Sequence, residues 1–168
     1  MEHLTARSIL SEAVRQTDAG VRDFFKKKEP FIRFTSGRSV TIEDEITKLS
    51  TSGIRNPFPL VAMFTEGMSE WSDGKMYGFS IPKIAIIIRT KLNTTEEQKL
   101  HDSFQNVLHP IYREFEFQLR KMYFGYGLRI EHTDLPCMSD SSGKTSLNQL
   151  CDAVIVRNLK FRYLTNKC

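Results

Sequence analysis

The sequence predicts an α+β fold: a mixed, mostly antiparallel sheet carrying a long amino-terminal helix and a long kinked helix. Three observations predict it. Apolar residues recur at steps of three and four over residues 4–28, and again from Leu100 to Leu119, the period of a helix with one buried stripe. Between them lies "IAIII" (84–88), far short of a bilayer span and apolar at consecutive positions, as a central strand covered on both faces requires. The closing segment, "DAVIVRNLKFRYL" (152–164), alternates as a half-buried strand does.

In chain order, the first helix carries Leu10, Ala13, Val14, Thr17, Val21, Phe24 and Phe25 on its stripe. Gly20 weakens it by roughly 1 kcal/mol relative to alanine and is a candidate bend, and "KKKEP" ends it, because Pro30 biases Glu29 away from helical backbone. "FIRFTSGRSVTI" (31–42) reads as a hairpin turning at Ser36-Gly37, with Ile32 and Phe34 opposite Val40 and Ile42. Thr41 and Asp44 then mark the start of a short helix running to about Leu49. "LVAMF" (60–64) reads as a buried strand, and "TEGMSEWSDGKMYG" (65–78) as an exposed loop or a long hairpin tip.

The strand over 79–90 contains Pro82, which has no N–H to give a ladder and so belongs at the strand's start or at a bulge. Thr94 and Glu97 have the spacing of a capping box for the second long helix. Its stripe is Leu100, Phe104, Val107, Leu108, Ile111, Phe115 and Leu119, with a kink expected at Pro110 and an end at "FGYG" (124–127). Strands follow at 128–135 and 152–164, separated by a polar loop over 136–149. On the last strand Ala153, Ile155, Leu159, Phe161 and Tyr163 share one face. No repeat, low-complexity run or linker divides the 168 residues, so one domain is expected: a helix over 1–28, then the sheet and its covering helices over 31–164.

A net charge of +4 permits contact with nucleic acid or acidic protein without requiring either. The amino terminus carries acids early and lacks a signal-peptide pattern, and three cysteines, Cys137, Cys151 and Cys168, suit reduced thiols in a cytosol. The searches for chemistry lead to no catalytic, metal-binding or cofactor-binding residues. "SSGKTS" (141–146) has Met138 where a phosphate loop needs its first glycine. Glu131, His132, Asp134 and Cys137 supply metal-ligand types without a defined ligand set, and His101 and His109 stand eight apart rather than four. Glu43, Asp44 and Glu45 are explained by the dipole of a helix's first turn. The basic residues Lys26, Lys27, Lys28, Arg33 and Arg38 cluster around the first helix's end and are candidate contacts for DNA backbone or an acidic partner.

Together, "PLVAMFTEG", "SIPKIAIIIRTKLNTTEEQ", "FQNVLHPIYREFEFQLRK" and "CDAVIVRNLKFRYL" resemble virion neck and tail proteins of Bacteroides-infecting tailed phages, including the crAss-like group. There a strand ending in a Thr-Thr-Glu-Glu-like cap runs into a helix containing Leu-x-Pro-Ile-Tyr. The resemblance covers roughly residues 57–164 and extends to head–tail connector and tail-terminator proteins. It implies a non-enzymatic virion protein without cofactors, made and assembled in the host cytoplasm. Such a protein is one subunit of a six- or twelve-fold ring stacked near the portal around the DNA channel. Its partners are then copies of itself, the portal, adjacent neck or tail rings and packaged DNA, with no membrane. Tail completion, another assembly role, or sequence-independent nucleic-acid binding are the alternatives.

Overall fold

A computed structural model describes residues 5–51, 58–72, 76–90, 94–122, 130–136 and 151–164. It is an α+β fold built on one six-stranded sheet. The elements are α1 (Ala6–Val21), β1 (Arg33–Gly37), α2 (Ser39–Thr51), β2 (Leu60–Phe64), β3 (Ser69–Ser72) and β4 (Met76–Arg89). There follow a composite helix made of α3 (Glu96–Lys99), a π-helical segment (Leu100–Leu108) and α4 (His109–Met122), then β5 (Glu131–Leu135) and β6 (Cys151–Leu164). The strand order is β1-β2-β4-β6-β5, with β3 also paired to β4; only β1 and β2 run parallel.

The expectation of a doubly covered central strand holds. Ile84 and Ile86 of β4 join α1, the π segment and α4 in the larger apolar cluster. Ala85 and Ile87, between them in sequence, join Ile42 and Ile46 of α2 in a second cluster on the other face. Four of the seven stripe residues, Leu108, Ile111, Phe115 and Leu119, are wholly buried, and Phe104 nearly so.

α1 is shorter than predicted, and Gly20 does not break it. Thr5 caps its start, its hydroxyl accepting from the Ser8 N–H while Ser8 answers the Thr5 N–H. At the other end Lys26 adopts left-handed backbone (φ 52), its N–H donating to the Asp23 carbonyl and that of Lys27 to the Arg22 carbonyl. This paired closure stops a helix, although a lysine fills the position usually given to glycine. Gly20 is instead where α1 meets α4: a Cβ there would overlap the Glu114 carboxylate and lie 3.0 Å from its Cγ. Asp18, buried in α1, accepts from the Phe31 and Ile32 N–H groups at 2.8 Å each and pairs with Arg22 Nε at 2.9 Å, so the chain leaving the turn is tied back to the helix.

The predicted hairpin over 31–42 is not formed. β1 stops at Gly37 and pairs in parallel with β2, and Val40 and Ile42 lie in α2, which begins at Ser39 rather than Thr41. The cause comes from a distant part of the chain. The Glu66 carboxylate accepts from the Ser39 N–H at 2.6 Å and the Gly37 carbonyl accepts from Thr65 N–H at 3.0 Å, so the turn after β2 caps α2 and closes β1. Glu43, Asp44 and Glu45 consequently lie beyond the first turn, which removes their dipole explanation; Glu45 instead accepts from the Thr35 hydroxyl of β1.

Of the two readings of residues 65–78 the hairpin holds, since β3 pairs antiparallel with the start of β4; the tip at 73–75 lies outside the described residues. Thr65–Met68 form a turn, and β3 then pairs with β4, the Trp71 indole lying against Gly78, where a side chain would collide with it. Pro82 sits within β4 rather than at its start, yet the ladder is interrupted there as its missing N–H demands. On one side β2 pairing ends at Lys83 and β3 pairing begins at Ser80; on the other, Ile81↔Leu159 and Lys83↔Arg157 bracket an unpaired Pro82 and Asn158. Asn158 is left-handed (φ 52). The face expected for β6 therefore divides: Ala153 and Ile155 lie in one cluster, Leu159 and Phe161 in the other.

The capping box of the composite helix falls one residue later than expected, with Thr95 and Gln98 answering each other's backbone N–H groups at 3.2 and 3.0 Å. Pro110 takes part in no simple break. The nine residues 100–108, just before it, wind as a π-helix, and the His109 N–H reaches back to the Phe104 carbonyl. Leu100 is consequently half exposed, at 50 %, rather than buried. The predicted helix end at 124–127, the loop over 137–149 with "SSGKTS", and Cys137 and Cys168 lie outside the described residues.

Candidate interaction surfaces

The predicted basic cluster is divided by the structure. Lys26, Lys27 and Lys28 stand exposed on the turn after α1, and Arg33 opens β1, an end strand of the sheet order; Arg38 lies at the opposite end of that strand, beside the Glu66 cap of α2. Of these five, Lys27 and Arg33 line one concavity together. It measures about 650 Å³ and is walled by Phe25, Pro30, Phe31 and Ile32, by Phe58 and Pro59 before β2, and by Val107 of the π segment. Phe25 and Phe31 meet edge-on with ring centroids 5.5 Å apart, and the Lys27 ammonium lies 6.0 Å over the Phe31 ring. This is a hollow of mixed character, with two cations among aromatic and aliphatic side chains, a form that suits an acidic and partly apolar protein segment.

A second concavity, about 590 Å³, lies at the other end of the strand order. Glu96, Glu97, Lys99 and Leu100 line it from the start of the composite helix, with Phe104, and with Asp134 and Pro136 at the end of β5. The π segment separates the two hollows. Its wider winding splays residues three apart further around the axis than an α-helix would, so Val107 faces one hollow while Leu100 and Phe104 face the other.

Of the polar groups singled out near β5, His109, His132 and Asp134 come together, while Glu131 and His101 are exposed and Cys137 lies outside the described residues. His109 Nε2 and Asp134 Oδ2 are 2.9 Å apart, which ties α4 to β5, and the His132 ring lies 4.2 Å from that of Tyr112 and 6.4 Å from that of His109, between centroids. Burial, and then a hydrogen bond to Glu116, hold the Tyr112 hydroxyl above its usual pKa. Among the described residues no three of His, Cys, Asp and Glu are grouped to hold a metal ion. Burial, and then the charge of Asp152, push the Cys151 thiol up to about 12, so this described cysteine stays protonated at neutral pH. No described helix is long and apolar enough to cross a membrane.

Sequence reasoning named Lys27 and Arg33 but missed the hollow between them, since Phe58 and Val107 reach it from distant segments. The exposed Leu100 was missed because an α-helical period assigns it to the core. No family model matches the chain, and no curated protein matches it in sequence.

Proposed function

We propose that the chain is a non-enzymatic structural protein of a tailed-phage virion, one subunit of a ring in the neck or head–tail connector, stacked near the portal around the DNA channel. The sequence resemblance motivates this reading. The observation that carries it is the dispersal of exposed apolar side chains: Phe24 after α1, Val40 on α2, Leu100 at the start of the π segment and Phe117 on α4 are each at least half exposed. A ring subunit in a stack meets unlike neighbours on several sides, and each contact needs its own apolar centre. The basic turn Lys26–Lys28 supplies charge for packaged DNA or for an acidic neighbour.

The test is composition and position within purified particles. Mass spectrometry should find the protein in tailed particles, and gold labelling should place it at the head–tail junction. Infectious particles of normal form that lack the protein would rule the reading out. Salt-sensitive binding of the isolated chain to DNA, without any place in particles, would favour the nucleic-acid alternative.

A further inference from the structure

The two hollows are complementary in charge and lie at opposite ends of the strand order. One is lined by Lys27 and Arg33 with Phe25 and Phe31; the other by three carboxylates, Glu96, Glu97 and Asp134, with Lys99 and the half-exposed Leu100. Glu96 and Leu100 are four residues apart and Glu97 and Leu100 three, so all three share one side of the helix start. At the edge of that hollow they make a short exposed knob, Leu100 flanked by the two carboxylates, with Lys99 beside them.

We propose that this knob of one copy docks into the Lys27–Arg33 hollow of a second copy, Leu100 resting on the partly exposed Phe25, Phe31 and Val107 while Glu96 and Glu97 meet the two cations. The inference rests on the ring-subunit reading and names the contact that such a ring uses. A joint made from two unlike surfaces leaves each bound copy with one free knob and one free hollow, so it propagates head to tail and closes when the rotation per step permits. The hollow suits this occupant better than a nucleic-acid strand. It offers two cations rather than a basic track, and Phe25 and Phe31 are engaged edge-on with each other rather than laid open for stacking.

The experiment uses the full chain and two charge-reversed forms, one carrying Lys27→Glu with Arg33→Glu, the other Glu96→Lys with Glu97→Lys. Self-association is followed by sedimentation and native mass spectrometry up to about 1 mM, where a contact worth roughly 4 kcal/mol is still visible. Each form alone should associate about tenfold or more weakly than the parent. Mixing the two should restore association, because both joints then pair opposite charges; unfolded variants could not produce that recovery. Three results would overturn the proposal: a parent monomeric throughout, variants that associate like the parent, or a loss that mixing does not reverse. A hollow that binds single-stranded oligothymidylate and loses it in the Lys27/Arg33 form, with no self-association, would assign it to nucleic acid instead. Association through this contact by a protein absent from particles removes the virion reading and leaves the contact. Normal particles built from either form alone do the reverse.

Discussion

Pro82 of β4 and Asn158 of β6 lie across from one another, and at this pair both strands exchange the faces of the sheet. Phe79 and Ile81 before the proline share a cluster with Ile84 and Ile86 after it, and Val154 and Val156 share the same cluster with Leu159 and Phe161. Strict alternation would have placed half of these side chains on the opposite face. The residue that cannot donate a ladder bond is set against one in left-handed backbone, so the two irregularities fall together.

Asn158 is accordingly constrained by its backbone. Asn158→Gly should leave stability nearly unchanged, while Asn158→Val should cost about 1–2 kcal/mol, the penalty of left-handed backbone for a side chain branched at Cβ. Urea denaturation of both variants measures this. Equal midpoints for the valine variant and the parent would show that the site does not hold that conformation.

At Gly20 two effects oppose each other. Gly→Ala within a helix ordinarily gains about 1 kcal/mol, but here the new methyl displaces the Glu114 carboxylate, which accepts from Gln118 Nε2 at 2.6 Å. Gly20→Ala alone should therefore be close to neutral. Combined with Glu114→Ala, measured against Glu114→Ala alone, it should recover most of that gain. A full gain in the single variant would mean that α1 and α4 have room to spare.

The composite helix holds the core through its aromatic residues. Phe104→Ala or Phe115→Ala should cost about 3–5 kcal/mol, since both rings are buried in the cluster that holds the β4 and β6 side chains. An unchanged melting temperature in either variant would contradict the packing.

Acid should loosen the start of α2. The hydrogen bond from Ser39 N–H, with a smaller effect of Arg38, holds the Glu66 carboxyl below its usual pKa. A carboxyl with a depressed folded pKa contributes its stability above the unfolded value and loses it as pH falls through the folded one. Glu66→Gln should cost about 0.5–1 kcal/mol at pH 7, a cap-sized effect limited by solvent screening at this exposed site. The difference from the parent should shrink below the ordinary carboxylate range. A difference independent of pH between about 7 and 3 would assign the effect to packing.

What could be read from the sequence is what depends on local period. The two-faced run at Ile84–Ile88, the stripe from Phe104 to Leu119 and the buried strand "LVAMF" each follow from spacing alone, and the α+β fold follows from them. What could not be read depends on residues far apart. Glu66 caps a helix that begins 27 positions earlier, and that contact turns the expected second strand of a hairpin into α2. The switch of faces at Asn158 needs Pro82 across the sheet. For the surfaces, the cations were legible as composition, whereas the hollow that selects Lys27 and Arg33 out of five basic residues is made by Phe58 and Val107 from other elements.

The π-helical segment sets an angle by counting. Winding i→i+5 accommodates a residue that α-winding would not, and each α-helical residue turns the axis by about 100°. Removing one residue from this stretch, Gln105 for instance, would let it rewind as an α-helix. The faster α turn takes up the lost residue, so Glu96, Glu97 and Leu100 would keep nearly their present angle to α4, whereas a deletion that left the winding unchanged would swing them through roughly a quarter-turn. The direction of the helix start is thus set jointly by chain length and winding. Because Phe104 and Leu108 of the same stretch belong to the larger apolar cluster, a single-codon insertion or deletion here would be felt in that cluster as well.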